Sequence, residues 1–330
     1  IESQQLNQLE NQLILLKGAR IFEMEKVKNH LELQKHDTVL EVNLNAILHN
    51  INVHKSLLKP ETKICAMVKA YSYGLGGYEI AEFLQHHHID YLGVAYADEG
   101  VDLRKNGITT PILVMNPEQG SYDIIIDYNL EPEIYSLRVL DLFTNQLQLK
   151  GIQQKYPIHL KIETGMHRLG FKEEEIDELI ENLKKHNIKV ASIFSHLSSA
   201  DIPEEREYTL SQIEIFTRIS DKITKALGYQ PIRHILNSSG ITNYTEYQFD
   251  MVRIGIGMVG ISPIIEIKRQ LQNAVTFKTV ISQISEIKKG DSIGYSRKHI
   301  AEKDARIATI PVGYADGIPR LIGNKAGFLG

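Results

Sequence analysis

A single lysine, Lys69, ends an apolar run and is followed by Tyr71, Tyr73 and a glycine-rich turn at residues 74–77. Burial disfavours the charged form of a lysine, so an ammonium at the end of a buried strand is costly unless it is paired or used. A lysine whose neutral amine is accessible can form a Schiff base with an aldehyde cofactor. Backbone N–H groups of a glycine-rich turn can approach a phosphate closely. Together these residues predict a pyridoxal 5'-phosphate (PLP) site; the alternative is a structural lysine that snorkels from a strand end to solvent.

Further polar residues follow later apolar runs, each near the point where the run ends. If these runs are the strands of a parallel barrel, their C-terminal ends lie on one rim, which is where such barrels carry their active sites. The residues that this rim would bring together with Lys69 are Tyr73, Lys161, Arg168, His196, Asn237, Ser238, Arg253, Gly255 and Ile256. Their convergence favours a functional site over unrelated loop residues.

Each of these residues also has a structural explanation. A histidine such as His196 is by itself more typical of a hydrogen-bonded core position. The two arginines have carboxylates nearby in the sequence, and the possible ion pairs are Arg168–Glu163 and Arg253–Asp250. The serines of the set could cap a helix, and the glycines could mark close packing.

Short apolar runs alternate with amphipathic helical patterns from residue 63 onward. This alternation, with nearly continuous apolar strands, is typical of a parallel sheet. Eight strands over roughly 200 residues favour an α/β fold of the (β/α)8 TIM-barrel type over an open doubly wound sheet. The predicted strands are 63–69, 91–96, 111–115, 131–135, 158–163, 190–196, 232–237 and 251–259.

The pattern changes on both sides of the barrel, which we predict to occupy residues 37–270. Residues 275–287 and 305–312 have the pattern of strands without a long helix between them, so residues 271–330 are predicted to be the start of a truncated C-terminal β domain. Residues 1–36 do not fit the barrel pattern. The chain begins without methionine and stops where another strand begins, and we expect it to be a fragment of a longer protein.

The composition argues against several classes of protein. A net charge of -4 gives no electrostatic reason to expect nucleic acid or an anionic membrane as a partner. The one cysteine, Cys65, excludes an intrachain disulfide framework, and the histidines at 86–88 are interpreted as a helix cap rather than metal ligands. No run approaches the ~20 apolar residues of a membrane span, and no signal-peptide pattern is present. We expect a cytoplasmic protein that uses no metal.

Six segments of the chain, in order, resemble the motifs of the alanine racemases, the fold-type III PLP enzymes. In the lysine motif at residues 67–76, Tyr71 and Leu75 replace the asparagine and histidine that are usual in the family. The other five segments are 160–170, 195–201, 237–239, 249–256 and 310–317. The resemblance extends from about residue 37 to the last residue and implies a PLP-binding barrel followed by a β domain.

The resemblance implies a role for each residue at the cofactor. Lys69 would carry PLP as a Schiff base. Arg253 would face the pyridine nitrogen, where a cation keeps that nitrogen unprotonated and so disfavours transamination and decarboxylation. The residues that would hold the phosphate or the ring are Tyr73, His196, Asn237, Ser238, Gly255 and Ile256.

Substrate binding and proton transfer follow from the same resemblance. Arg168 and Tyr314 would contact the substrate, and Lys161, which is carbamylated in many members, would steady Arg168. Racemisation requires two bases, because the proton leaves one face of the substrate carbon and returns to the other. Lys69 would serve one face. Tyr295, in the segment 293–297 that resembles the family's second-base segment, would serve the other face from the partner subunit of a homodimer. The implied reaction is the interconversion of L-alanine and D-alanine for peptidoglycan synthesis.

Residues 15–27 resemble the end of the ligase that adds D-alanyl-D-alanine to the muramoyl tripeptide. Residues 1–36 are therefore expected to be the trailing end of a fused upstream ligase domain, with an arbitrary extension as the alternative. Family members continue past Gly330, so this chain by itself is expected to have little activity. Two other functions stay open, namely a broader-specificity amino-acid racemase and a non-catalytic PLP-binding protein. Tyr295 and the strand pattern after residue 270 weigh against the second.

Overall fold

A computed structural model describes residues 37–186 and 188–319 of the 330-residue chain. The chain divides into two compact units. One comprises residues 42–275, and the other contains the described residues 37–41 and 276–319. The expected ligase segment, residues 1–36, lies outside the described residues, as does the last part of the predicted β domain.

Eight parallel strands form a barrel in the first unit. Backbone hydrogen bonds from Asp250 N to Arg233 O (3.1 Å) and from Arg253 N to Leu236 O (3.0 Å) join its last two strand segments. The sheet order is β8-β7-β6-β5-β4-β3-β2-β9, and every pairing within it is parallel. The strands of the chain are β1 (Val39–Val42), β2 (Lys63–Met67), β3 (Tyr91–Val94), β4 (Ile112–Val114), β5 (Glu131–Ile134), β6 (Tyr156–Lys161), β7 (Ile188–Phe194), β8 (Ile232–His234), β9 (Met251–Ile254), β10 (Val275–Lys278), β11 (Gln283–Ile287), β12 (Ser292–Ile293), β13 (His299–Ile300) and β14 (Ala305–Thr309). The predicted TIM-barrel fold is confirmed.

Amphipathic helices connect the barrel strands and bury one face each. In the fifth helix, Leu140, Phe143 and Leu147 recur at helical spacing and are buried, and Ser136 caps the first turn by accepting a hydrogen bond from Val139 N (3.3 Å). The helices are α1 (Leu44–Lys55), α2 (Tyr78–His86), α3 (Ala97–Lys105), α4 (Tyr122–Asp127), α5 (Leu137–Leu149), α6 (Ile176–Lys185), α7 (Arg206–Leu227), α8 (Ser238–Asn243) and α9 (Ile265–Lys268).

Strand β2 leads directly into a left-handed turn, Lys69–Gly74. Residues 70–73 have φ between 51° and 61°, a conformation that costs L-amino acids other than glycine roughly 1–2 kcal/mol each. The Glu99 carboxylate accepts hydrogen bonds from Ala70 N (2.5 Å) and Ala95 N (2.6 Å), and so ties the turn to the end of β3. The predicted glycine-rich turn is present, but non-glycine residues form most of its left-handed part.

The second unit consists of short strand pairs. β11 pairs antiparallel with β14, β12 pairs antiparallel with β13, and β1 pairs with β10. β1 lies largely in the segment that the sequence analysis assigned to the start of the barrel domain. Between residues 276 and 319 the helical segments are single 3-10 turns, in agreement with the expected β texture.

Neither a membrane-spanning helix nor a metal-binding cluster of three or more side chains is present in residues 37–186 and 188–319. Helix α7 has 22 residues, but charged residues interrupt it throughout. Cys65 is free and fully buried.

We expect Leu147→Ala to lower the free energy of unfolding by about 2–5 kcal/mol, because this α5 side chain is 5% exposed and its removal leaves a cavity against the barrel. Leu149→Ala is the matched control. It lies two residues further along the same helix, is 82% exposed, and should change the free energy of unfolding by less than about 0.5 kcal/mol. Urea unfolding followed by circular dichroism measures both variants. Equal losses would contradict the buried face assigned to α5.

Candidate active site

A cavity of about 590 Å³ lies at the C-terminal ends of the barrel strands. It contains most of the residues that the sequence placed on this rim, although they come from widely separated parts of the chain. The predicted residues that line it are Lys69, Tyr73, Arg168, His196, Asn237, Ser238, Arg253, Gly255 and Ile256. The convergence predicted from the strand ends is therefore present.

Ser238 and two glycines form a cradle at one side of this cavity. Ser238 Oγ accepts hydrogen bonds from Gly255 N (3.1 Å) and Gly257 N (3.4 Å). A Cβ atom at residue 255 would lie 2.4 Å from Tyr73 Oη, and one at residue 257 would lie 2.8 Å from the His54 ring, so a larger residue at either position would displace a side chain. Because Ser238 Oγ accepts from both N–H groups, its hydroxyl hydrogen is left to donate, and with the nearby Tyr73 hydroxyl it gives donors that fit the phosphate of PLP.

The helix-cap alternative applies to Asn237 rather than to Ser238. Asn237 Oδ1 accepts a hydrogen bond from Gly240 N (2.9 Å) and begins α8. This leaves the Ser238 hydroxyl turned toward the glycines of the cradle.

Arg253 lines the cavity although it is only 3% exposed. Its Nη1 donates to His234 Nδ1 (2.6 Å), and its Nη2 donates to the Ser195 carbonyl (2.7 Å). Burial lowers the pKa of Arg253 to about 10, so the guanidinium is still a cation at neutral pH. The alternative ion pair with Asp250 is not formed, because the Asp250 carboxylate lies beside Arg233 (N–O distance 3.7 Å).

His196 is held as a neutral imidazole. Its Nδ1 lies 3.2 Å from Arg253 Nη2, and because a guanidinium can only donate, this nitrogen accepts the hydrogen bond. Burial lowers the pKa of His196 well below its ordinary value, and the Arg253 cation lowers it further. His196 therefore combines the hydrogen bond of a structural histidine with a position on the cavity wall.

Arg168 lines the cavity without the ion pair that was considered for it. The Glu163 carboxylate accepts a hydrogen bond from Gly165 N instead, and no ion pair joins it to Arg168 among the described residues.

Lys161 and Glu133 are buried charged residues on the neighbouring strands β6 and β5. Glu133 lines the cavity, and Lys161 Nζ lies 4.5 Å from the centre of the Phe194 ring. Burial raises the pKa of Glu133 to about 7, although nearby cations, Lys161 first, oppose this shift. Burial lowers the pKa of Lys161 to about 8, and Glu133 opposes that shift in turn. Burial therefore favours the uncharged form of each side chain.

The sequence analysis did not identify Glu133, His234 or Glu99 as site residues. Glu133 could have been recognised as a carboxylate inside an otherwise buried strand. His234 lies inside the predicted strand 232–237, where it stacks on Phe194 (ring centroids 4.8 Å apart) and accepts from Arg253. Glu99 gave no comparable signal, because its bond to the left-handed turn depends on the folded backbone.

Tyr295 and Tyr314 belong to the second unit. Tyr295 is 93% exposed in the turn Tyr295–Arg297, and Tyr314 is also exposed, in the turn Tyr314–Asp316. Their contributions to the site stay predictions.

Two family models match this chain. The one described as "Alanine racemase, N-terminal domain" matches residues 42–263, and the one described as "Alanine racemase, C-terminal domain" matches residues 274–329. Among curated proteins, the chain is 36% identical to an alanine racemase of Thermodesulfovibrio yellowstonii, over 87% of this chain and 76% of that protein. It is 34% identical to an alanine racemase of Helicobacter pylori strain P12, over 88% and 79% of the two chains.

Solved structures of alanine racemases also superpose on this chain. An alanine racemase of Clostridium difficile 630 superposes with a TM-score of 0.80 at 34% identity and covers 86% of this chain and 75% of its own. The alanine racemase of E. faecalis superposes with a TM-score of 0.79 at 26% identity, with 88% and 78% of the two chains covered.

The buried carboxyl of Glu133 should make stability depend on pH. Burial raises its pKa above the 4.5 expected in the unfolded chain, so its protonated form favours folding and this contribution is lost as the pH rises toward 7. Relative to Glu133→Gln, the parent should lose about 1–3 kcal/mol of unfolding free energy between pH 5 and pH 7. Glu118→Gln, at an exposed position, is the control and should follow the parent. A pH-independent difference between parent and Glu133→Gln, measured by urea unfolding, would overturn this expectation.

Proposed function

Because this chain belongs to the alanine racemase family, we propose that it interconverts L-alanine and D-alanine with PLP as its cofactor. The observation that carries the proposal is the cavity in which Lys69, the buried Arg253 cation and the Ser238 cradle lie on one rim of the barrel. The D-alanine formed would serve peptidoglycan synthesis.

The residues of the cavity have the chemistry that PLP needs. Tyr73, Ser238 and the backbone at Gly255 and Ile256 would hold the phosphate, and His196 and Asn237 would border the cofactor. Lys69 would bind the cofactor covalently. When bound, PLP withdraws electrons from the substrate α-carbon and makes its C–H bond acidic.

Arg253 would favour racemisation over other reactions of the same cofactor. Its guanidinium remains protonated at neutral pH and has no acceptor atom, so a ring nitrogen facing it would stay unprotonated. This limits electron withdrawal from the substrate, which disfavours transamination and decarboxylation. Three acceptors that lie in the barrel wall fix the guanidinium in place, namely His234 Nδ1 and the carbonyls of Ser195 and Ile235.

Two bases would move the proton. Lys69 would act on one face of the substrate carbon and Tyr295, from the second subunit of a homodimer, would act on the other. Arg168 and Tyr314 would contact the substrate, and Lys161, if carbamylated, would steady Arg168. The support for these assignments is the match of each residue to its family motif and, for Arg168 and Lys69, their place in the cavity.

We also propose the predicted domain organisation for the longer protein. Residues 37–270 would form the PLP barrel and residues 271–330 the start of the β domain, which the matches at 42–263 and 274–329 support. Residues 1–36 would be the end of a fused ligase, on the resemblance of residues 15–27 alone. A cytoplasmic location also remains a prediction from the sequence.

Lys69→Ala should abolish the borohydride-reducible PLP adduct, because it removes the amine proposed to bind the cofactor. Lys63→Ala is the matched control, since Lys63 begins the same strand β2 and pairs with Asp90 (3.2 Å). Reduction with borohydride followed by peptide mass mapping locates the adduct. Retention of the adduct in Lys69→Ala, or its mapping to another lysine, would refute the assignment.

Tyr295→Phe should lower racemisation by ~10²–10⁴-fold, the usual contribution of a general acid–base group, while PLP stays bound. Tyr78→Phe, a change at another exposed tyrosine, should leave the rate unchanged. Alanine racemisation is followed by polarimetry in the full-length protein, with cofactor absorbance as the measure of PLP content.

A mixing experiment tests whether the two bases come from different subunits. Lys69→Ala and Tyr295→Phe dimers should each racemise alanine poorly, but their heterodimer would contain one site with both bases. Partial recovery of activity is expected on mixing. Absence of recovery in verified heterodimers would argue against a shared site.

A further inference from the structure

Five side chains form a continuous hydrogen-bonded chain inside the barrel, one from each of five neighbouring strands. Arg253 Nη1 lies 2.6 Å from His234 Nδ1, and His234 Nε2 lies 2.9 Å from Ser192 Oγ. Ser192 Oγ lies 2.6 Å from His159 Nδ1, and His159 Nε2 lies 2.8 Å from Glu131 Oε2. All five are buried apart from Glu131, whose side chain is 14% exposed at the opposite end of the barrel from the cavity. We call this chain the barrel relay.

The two ends of the barrel relay favour the same direction for its bonds, because the Arg253 guanidinium can only donate and the Glu131 carboxylate accepts. A guanidinium has donors only, so His234 Nδ1 must accept, and the His234 proton therefore sits on Nε2 and is donated to Ser192. The Ser192 hydroxyl hydrogen then has His159 Nδ1 as its acceptor, since the two histidines are the described partners of this oxygen. The His159 proton therefore sits on Nε2 and is donated to Glu131. Each of the four bonds then has one donor and one acceptor, and each points away from the cavity.

The rings of the barrel relay are held in place by their neighbours. His234 stacks parallel to Phe194 with centroids 4.8 Å apart, and His159 meets Tyr91 edge-on at 5.7 Å. Burial lowers the pKa of His234 well below its ordinary value, and Arg253 lowers it further, in agreement with a neutral ring. Because the rings are fixed, what can still change in the barrel relay is which nitrogen of each histidine carries the proton.

We propose that Ser192, His159 and Glu131 are positioning residues for the cofactor site: they fix the proton of His234 on Nε2, and so keep its Nδ1 free to accept from Arg253. If the Glu131 acceptor were absent, His159 could move its proton to Nδ1 and donate to Ser192. Ser192 would then donate to His234 and leave it with a proton on Nδ1, facing the donor of Arg253. The Glu131 acceptor at one end of the barrel thereby reinforces the proton position that Arg253 requires at the other. The consequence for catalysis rests on the proposed function.

The proton position of His234 gives a test that needs no racemase activity. Nitrogen-15 chemical shifts of histidine-labelled holoenzyme report the protonated nitrogen, and His234→Gln identifies the His234 signals. The parent should show His234 neutral with its proton on Nε2. Glu131→Ala should populate the Nδ1-protonated form, whereas Glu131→Gln, which keeps an oxygen acceptor for His159, should resemble the parent.

Ser192→Ala removes the hydroxyl that joins the two histidines of the barrel relay. The decisive comparison is the effect of Glu131→Ala with and without this hydroxyl. Glu131→Ala should change the His234 signals in the parent background and leave them unchanged in the Ser192→Ala background, because coupling through the hydroxyl has been removed. A Glu131→Ala variant that leaves His234 unchanged, or acts equally in both backgrounds, would overturn the proposal. A direct structural effect of Glu131 on the fold would give the second of these results.

The functional readout is the ratio of pyruvate formed to alanine racemised. This ratio should rise about two- to tenfold in Glu131→Ala and in Ser192→Ala, the range that one intramolecular hydrogen bond is worth, while Glu131→Gln stays near the parent. A general loss of stability would lower both products together and leave the ratio unchanged, which would count against a positioning role. If the parent racemises no alanine yet the nitrogen-15 pattern holds, the proposed function fails and the barrel relay stands.

Discussion

A buried guanidinium has to direct its N–H groups at acceptors, and the interior of this barrel is organised around that requirement at Arg253. Leaving a buried charge without hydrogen bonds would cost several kcal/mol, so acceptors must be built into the surrounding strands. His234 and two backbone carbonyls meet the demand, and each acceptor in turn fixes its own neighbours. The polar residues of the barrel relay thus accompany one cation, in a fold whose interior is usually filled by branched apolar side chains.

Two further charged residues of the interior, Lys161 and Glu133, differ from Arg253. Lys161 and Glu133 lie on adjacent strands without a direct ion pair among the described contacts, and burial moves both pKa values toward neutrality. Burial therefore favours the uncharged form of both side chains. Arg253 keeps its charge at the site, whereas burial opposes the charges of Lys161 and Glu133.

The sequence predicted the barrel and the residues on its rim because both follow from local information. A strand end can be located from where an apolar run stops, and the C-terminal ends of parallel strands share one edge. Contacts across the barrel depend on register instead, which local patterns do not contain. The pairing of β6 with β7 shifts between Ile158 and His159, and this irregularity places His159 opposite Ser192. The barrel relay and the partner of Asp250 could not be predicted for that reason.

The left-handed turn after β2 limits which amino-acid substitutions evolution can accept at residues 70–73. At residues 70–73 a glycine would adopt the observed backbone more easily than the present side chains, whereas proline and β-branched residues would be excluded. Yet Tyr73 reaches the glycine cradle, so its side chain contributes a contact that glycine cannot replace. Selection for thermal stability alone would draw substitutions to these four positions, and selection for activity would oppose them. The segment that presents Lys69 is therefore where the two pressures on this protein conflict most directly.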